Sequence, residues 1–312
     1  MFDLLTVTWN VSPDILTLGG FHLRWYSVLF VAGFFPIGYY IMRSFYKREG
    51  IPVETLDALL FALFLGAIVG ARLGHCFLYD PEYYFAHPWK ILMTWEGGLA
   101  SHGGAVGVLL AFWWYVRKYG RKYGFGYIQL LDRLVIPICF AGAMIRLGNL
   151  MNSEIYGIQT DLPWGFIFPL DPKGDGMPHH PTQIYESLSY LILGLVLLWL
   201  YRRKLDKLHT GTIFGIFLIV LFGMRFLIEF IKEDQSAFEA DMTFNMGQWL
   251  SVPFVIAGIL ILIWSFRKAG PAAIRVPDAA LNRPGQQAQG PRKPRTKVPL
   301  DHVHSGSTDK KQ

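Results

Sequence analysis

The sequence predicts an all-α polytopic membrane protein with seven transmembrane helices, its N-terminus outside and its C-terminus cytoplasmic. Three observations predict this. The 312 residues are 52% hydrophobic, 16% aromatic and only 17% charged, whereas an ordinary soluble domain carries about 25% charged residues. Seven apolar runs, each about 18–22 residues and long enough to cross the roughly 30 Å hydrocarbon core as a helix, lie near 26–44, 58–79, 97–116, 129–150, 183–201, 211–231 and 246–266. Lys and Arg alternate between the connecting segments: one in 1–25, three in 42–56, one in 80–96, four in 117–128, one in 151–182, four in 201–210, one in 232–245 and ten in 267–312. Cation-rich loops stay in the cytoplasm, which fixes the orientation.

The chain divides accordingly into a membrane domain, 1–266, with an outward arm at 151–182, and a disordered basic cytoplasmic tail, 267–312. The start, Met1-Phe2-Asp3-Leu4-Leu5, has no basic n-region and no small-residue cleavage site after a short apolar run, so the N-terminus is expected to remain. The net charge of +6 does not indicate a nucleic-acid groove, because ten of the 29 cations follow residue 266. Cys76 and Cys139 both fall inside apolar runs and suit packing better than a disulfide or a metal. No Cys/His ligand spacing, Walker loop or Gly-x-Ser-x-Gly elbow is present, so no metal or cofactor is expected.

The first run opens with Arg24-Trp25-Tyr26, an aromatic pair suited to the outer interface, and carries Pro36, which should kink it. Taken alone, Tyr26 is an interfacial belt residue. The second run holds Gly66, Gly70 and Gly74, a small-xxx-small ridge for close helix packing, and Arg72. The third begins Gly97-Gly98-Leu99-Ala100-Ser101-His102-Gly103-Gly104. Glycines there admit a phosphate or another backbone, and His102 is either a hydrogen-bonded structural residue or a participant in chemistry.

The fourth run starts near Asp132 and Arg133, expected to form an interfacial pair, and ends in Arg146, Asn149, Asn152 and Glu154. An arginine inside such a run costs about 2.5–3.5 kcal/mol on insertion scales, so it marks a functional site by default. Arg146, Asn149 and Asn152 recur every three residues and so share a helix face. The alternative is that Arg146 snorkels to the interface. The arm, 151–182, contains Pro163, Pro169, Pro172, Gly174, Gly176 and Pro178, too irregular for a helix and suited to a lid. His180-Pro181-Thr182-Gln183-Ile184-Tyr185-Glu186 opens the fifth run, where Glu186 complements the helix N-terminus.

The sixth run places Arg225 and Glu229 four apart, so Glu229 can hold or neutralise Arg225. With the orientation above, Arg72, Arg146 and Arg225 all fall in the outer halves of outward-running helices. Three such cations suggest a site for an anion, most naturally a lipid phosphate. The tail after Arg267 suits either the anionic inner leaflet or solvent.

The sequence resembles the bacterial prolipoprotein diacylglyceryl transferase family from about Trp25 to Arg267. The resemblance rests on Trp25-Tyr26, on His102-Gly103-Gly104, on Arg146-Leu147-Gly148-Asn149-Leu150-Met151-Asn152-Ser153-Glu154-Ile155-Tyr156-Gly157, on His180 to Glu186, and on Arg225-Phe226-Leu227-Ile228-Glu229-Phe230. It implies transfer of the sn-1,2-diacylglyceryl group from phosphatidylglycerol to the lipobox cysteine of a preprolipoprotein signal peptide, forming a thioether and releasing glycerol phosphate, at the outer leaflet of the bacterial inner membrane. It also implies a catalytic set of His102, Arg146 and Arg225, with Arg146 and Arg225 on the lipid phosphate and His102 as base or positioning group. Around them it implies substrate contacts from Tyr26, Arg72, Gly103, Gly104, Asn149, Asn152, Glu154, Gly157 and Glu229. Three positions depart from the family pattern: His75 and Leu221 stand where tyrosines are common, and Lys232 where an arginine is. A thiol brought by the substrate removes any need for a reactive cysteine in this chain. The competing class is a transporter of an anionic solute or lipid, but such proteins show repeats and broken helices at the midplane, which this sequence lacks.

Overall fold

In the computed structural model, which describes residues 6–172, 174–233 and 243–281, the apolar runs form helices. They are α1 (Trp25–Glu49), α2 (Val53–Leu78), α3 (Ser101–Tyr115), α4 (Tyr127–Met151), α5 (Thr182–Lys207), α6 (Thr212–Ile231) and α7 (Met246–Lys268). All but α3 are long and apolar enough to cross a membrane, six in all among the described residues. The chain is therefore an all-α polytopic membrane protein. Regular α-helix ends at Tyr115 in α3, but a π-helical turn, Val116–Gly120, and a last turn, Arg121–Tyr123, continue it without a break.

The expected kink in α1 takes the form of a π-helical turn at Gly33–Gly38 around Pro36. Proline offers no N–H to the preceding turn and its ring crowds the carbonyl four residues back, so the helix widens there. α4 is the most enclosed spanning helix and packs against α1, α5 and α6. α2 and α3 form a separate close pair, as do α6 and α7. The small-residue ridge of α2 makes its contact with α3: a Cβ at Gly103 would lie 2.3 Å from the carbonyl oxygen of Gly70, a distance no side chain tolerates.

At the end where α4 begins, Asp132 and Arg133 do not form the expected pair. Successive residues on a helix point about 100° apart and cannot face one another. Arg133 Nε instead donates to Glu49 of α1 at 3.1 Å, and its Nη2 donates to the Ala272 carbonyl at 2.7 Å. Asp132 accepts from the backbone N–H groups of Gly211 (2.7 Å) and Phe214 (2.8 Å), which caps the start of α6.

The chain beyond α7 first folds back onto this end. Ala272 and Ile274 are buried, and Ala272 N–H donates to the Leu208 carbonyl at 2.9 Å. The first compact unit thus runs to residue 277, not to the boundary at 266 that hydropathy suggests. Of the second unit, only the short helix Asp278–Leu281 is described, and the remainder of the basic tail lies outside the described residues.

Two pieces of sheet complete the other end. β1 (Val7–Thr8) pairs in parallel with β4 (Phe166–Ile167) of the segment after α4, and β2 (Asp14–Leu18) and β3 (Phe21–Arg24) form an antiparallel hairpin leading into α1. The 151–182 segment has a small core of its own: Leu150, Tyr156 and Phe168, flanked by Trp9, Phe166 and Ile184. Trp9 Nε1 ties the N-terminal segment to it by donating to the Leu150 carbonyl at 2.9 Å.

Candidate active site

The end of α4 is held by the polar first turns of α5. Thr182, Gln183, Glu186 and Ser187 are all buried, and they account for the polar block that opens this helix. Gln183 Nε2 donates to the Glu154 carbonyl (2.8 Å), Thr182 Oγ1 to the Ile155 carbonyl (3.1 Å) and Ser187 Oγ to the Ala143 carbonyl (3.1 Å). These contacts stabilise a sharp turn in which Ser153 and Ile155 adopt φ of 55° and 61°, a left-handed conformation that costs non-glycine residues on the order of 1–3 kcal/mol.

The turn places Glu154 back under α4. Its Oε1 accepts from Asn149 Nδ2 at 2.9 Å and from Asn152 Nδ2 at 3.1 Å, while Asn149 Oδ1 accepts from Arg146 Nη1 at 3.4 Å. The spacing of Arg146, Asn149 and Asn152 along one face is thus realised as a single network closed by Glu154. Tyr26 joins it from α1, its ring against Gly148.

Arg146 does not snorkel. Its Nε lies 3.0 Å from Glu186 Oε2, and that carboxylate is wholly buried. Glu186 Oε1 is 3.5 Å from Lys232 Nζ, which lies equally far from Glu229 Oε2. Glu229 is therefore engaged with Lys232 and not with Arg225, its neighbour four residues back. Tyr190, one turn beyond Glu186, lies within electrostatic range of Arg146, Arg225 and Glu186. Arg225 Nε is buried and has no hydrogen-bond partner, an unusual state for a charged donor that bonding normally satisfies.

Glu186, Tyr190 and Lys232 were not legible as parts of this cluster. Their signal is spacing: Glu186 and Tyr190 are four apart on the α5 face that meets α4, and Lys232 closes the last turn of α6.

Other candidates stand elsewhere. Arg72 is buried, and its guanidinium is taken up by backbone: Nε donates to Ile91 O (2.9 Å), Nη2 to Lys90 O (2.5 Å), and Nη1 to Gly97 O and Gly98 O, with the Tyr84 ring 5.1 Å away. It fastens the 79–100 connection to α2. The backbone that Gly103 admits is that of α2, and Gly104 lies beside Ala67 and Ala71 of the same helix. His102 is exposed on the first turn of α3. Gly157 is a crossing point: a Cβ there would lie 2.3 Å from Ile231 O, and its N–H donates to the His180 carbonyl at 2.8 Å.

Beyond the turn, His179 is buried between Gly157 O (2.7 Å from Nδ1) and Asp175 Oδ1 (2.9 Å from Nε2), with Glu233 Oε1 3.2 Å from Nδ1. The hydrogen bond to His179 holds the Asp175 carboxyl below the usual carboxylate range. Burial raises Tyr156, assisted by its 2.5 Å hydrogen bond to Asp171, and burial lowers His180. Among the described residues no group of three or more His, Cys, Asp or Glu could hold a metal ion.

Residues 13–264 match the family model for prolipoprotein diacylglyceryl transferase. The chain is 48% identical over 260 residues to a phosphatidylglycerol–prolipoprotein diacylglyceryl transferase of Tolumonas auensis, covering 83% of this chain and 98% of the relative. Proteins of the same name from Porphyromonas gingivalis and Chloroherpeton thalassium are 45% and 41% identical, covering 82% and 84% of this chain and 94% and 96% of the relatives. With a family model matched over most of its length and relatives 41–48% identical along more than nine-tenths of their own, the chain belongs to the prolipoprotein diacylglyceryl transferase family.

Proposed function

We infer that this chain transfers the sn-1,2-diacylglyceryl group of phosphatidylglycerol to the lipobox cysteine of preprolipoproteins. The relatives' names support the reaction and both substrates. The observation that carries the mechanism is the buried, unpartnered Nε of Arg225 on α6, beside an Arg146 held by the buried Glu186 carboxylate at the α4–α5 contact. A phosphate supplies the missing acceptor.

The substrate's thiolate attacks the glyceryl carbon, a C–S bond forms and the adjacent C–O bond breaks. Its electron pair leaves on the phosphate oxygen as glycerol phosphate, so negative charge grows where the two guanidinium groups lie. Oriented donors in a water-poor site stabilise such charge without reorganising, and guanidinium matches phosphate in a planar, two-point fashion. Glu186 holds Arg146 through Nε and leaves the two Nη groups to serve Asn149 and substrate. A free thiol ionises near pH 8.5, so a base is required; our candidate is His102, exposed on the first turn of α3, which serves as that base or as a positioning group. Cys76 and Cys139 are both buried in the bundle and do not compete as nucleophiles.

The remaining α3 stretch, 101–123, forms the seventh crossing. The alternating cations support an orientation with the N-terminus, the 151–182 arm and the two arginines toward the outer leaflet of the inner membrane, and the C-terminus in the cytoplasm. There the arm covers the site and the cation-rich inner ends face the anionic leaflet. Purified protein incubated with phosphatidylglycerol and a lipobox peptide should add one diacylglyceryl unit to the peptide by mass. Unmodified peptide, with the protein folded and the lipid present, would reject the assignment.

A further inference from the structure

A cavity of about 450 Å³ opens beside the Asn149–Asn152–Glu154 network, between the left-handed turn and the 151–182 segment. Glu154, Asp171, Asp175 and Glu233 contribute four carboxylates to its wall, and among its described lining residues the only cation-forming group is His179. Even with His179 protonated the wall is net negative. A lipid phosphate is therefore the wrong occupant.

Two further wall residues carry unused hydrogen-bonding capacity. Ser153 is 2% exposed and its hydroxyl has no hydrogen-bond partner, and Asn152 Oδ1 likewise has none. Asn152 Oδ1 can only accept, and a serine hydroxyl can accept as well as donate. Acceptors without donors, inside an acidic wall, call for a ligand that brings N–H groups and positive charge. The carboxylates do not converge in groups of three that could hold a metal ion. An extended organic cation fits better than a bare one. The adjoining sequence agrees: segments 151–182 and 232–245 each hold four acidic residues against one lysine.

We propose that this cavity is a subsite for a lysine or arginine side chain of the preprolipoprotein, in the stretch that follows the lipobox cysteine. This rests on the transferase assignment and orientation proposed above. With the cysteine at Arg146 and Arg225, the mature chain must leave outward past Asn152 and Glu154, and those two residues also wall the cavity.

The test compares three lipobox peptides that differ only after the cysteine, carrying Lys, Gln or Glu there, on the full chain in phosphatidylglycerol nanodiscs. The Lys peptide should exceed the Gln peptide by about fivefold in kcat/KM, chiefly through KM, which is the gain a partly exposed ion pair yields. The Glu peptide should fall below both. In Asp175→Asn/Glu233→Gln the Gln-peptide rate should persist while the Lys preference falls to near unity. If the double variant melts early, either single variant should halve the preference. Equal kcat/KM for all three peptides, or a preference unchanged in the variants, overturns the subsite while leaving the transferase intact. Loss of the preference when phosphatidylethanolamine is added assigns the cavity to a lipid amine and also overturns it. No transfer to any peptide overturns the transferase assignment and the subsite with it.

Discussion

The Glu186 carboxylate, wholly buried on α5, lies 3.0 Å from the Nε of Arg146 on α4. It fixes one edge of the guanidinium and leaves the other to act. Glu186→Gln keeps an oxygen in place but removes the counter-charge of Arg146 and one of the two carboxylates beside Lys232. Breaking a buried pair by deleting one partner costs about 3–5 kcal/mol, and the isosteric change should cost less. A lower melting temperature and a single-turnover rate reduced by about a decade or more are expected. Wild-type values of both would make the pair incidental.

His102→Gln should lower transfer at neutral pH and remove one limb of the pH–rate profile. An activity loss with that limb retained would make His102 a positioning residue.

The docking of 269–277 separates two truncations. Ending the chain after Pro277 should leave folding and transfer unchanged. Ending it before Pro271 removes the Ala272 carbonyl that accepts from Arg133, and an unsatisfied buried donor costs about 1–3 kcal/mol. A drop in melting temperature specific to the shorter chain is expected, and identical melting of both chains would show that the contact contributes nothing.

The Asp175–His179 contact sets an acid limit on the 151–182 segment. The folded-state value of Asp175 is lowered, so its contribution is fully present above the unfolded value of about 3.9. It is lost as pH falls further, through the folded value. Hydrogen-exchange protection near His179 should hold from pH 7 to about pH 4 and then decline, and Asp175→Asn should remove that decline. Protection that fails already at pH 6 would assign the limit to another group.

Hydropathy and the cation pattern carried the helices, because burying about twenty apolar residues leaves few alternatives. Pro36 announced the distortion in α1 for the same local reason. The partners of buried charges were less legible. Asp132 and Arg133 look paired in sequence yet serve α6 and α1 separately, since pairing across helices depends on their rotation. Arg72 and Arg146 both head an Arg-Leu-Gly triplet, but the carbonyls that absorb Arg72 lie in the 79–100 connection, whose fold no periodicity encodes. Glu186 looked like a helix-start residue because nothing local shows that α4 presents an arginine to it. Residues 269–277 looked like tail because their contacts are backbone hydrogen bonds, to which hydropathy is blind.

The central claim is that Arg146 grips the departing phosphate through two parallel hydrogen bonds. The most direct test is single-turnover transfer to a lipobox peptide in matched nanodiscs by Arg146→Lys, with folding checked by thermal melting. Lysine keeps the charge but offers a point contact, and a hydrogen bond to a charged group contributes about 1.5–3 kcal/mol. The rate should therefore fall by about one to two decades, and Arg146→Ala should abolish transfer while the protein still inserts. A near-normal rate for Arg146→Lys would contradict the two-point grip, and a near-normal rate for Arg146→Ala would remove Arg146 from the chemistry.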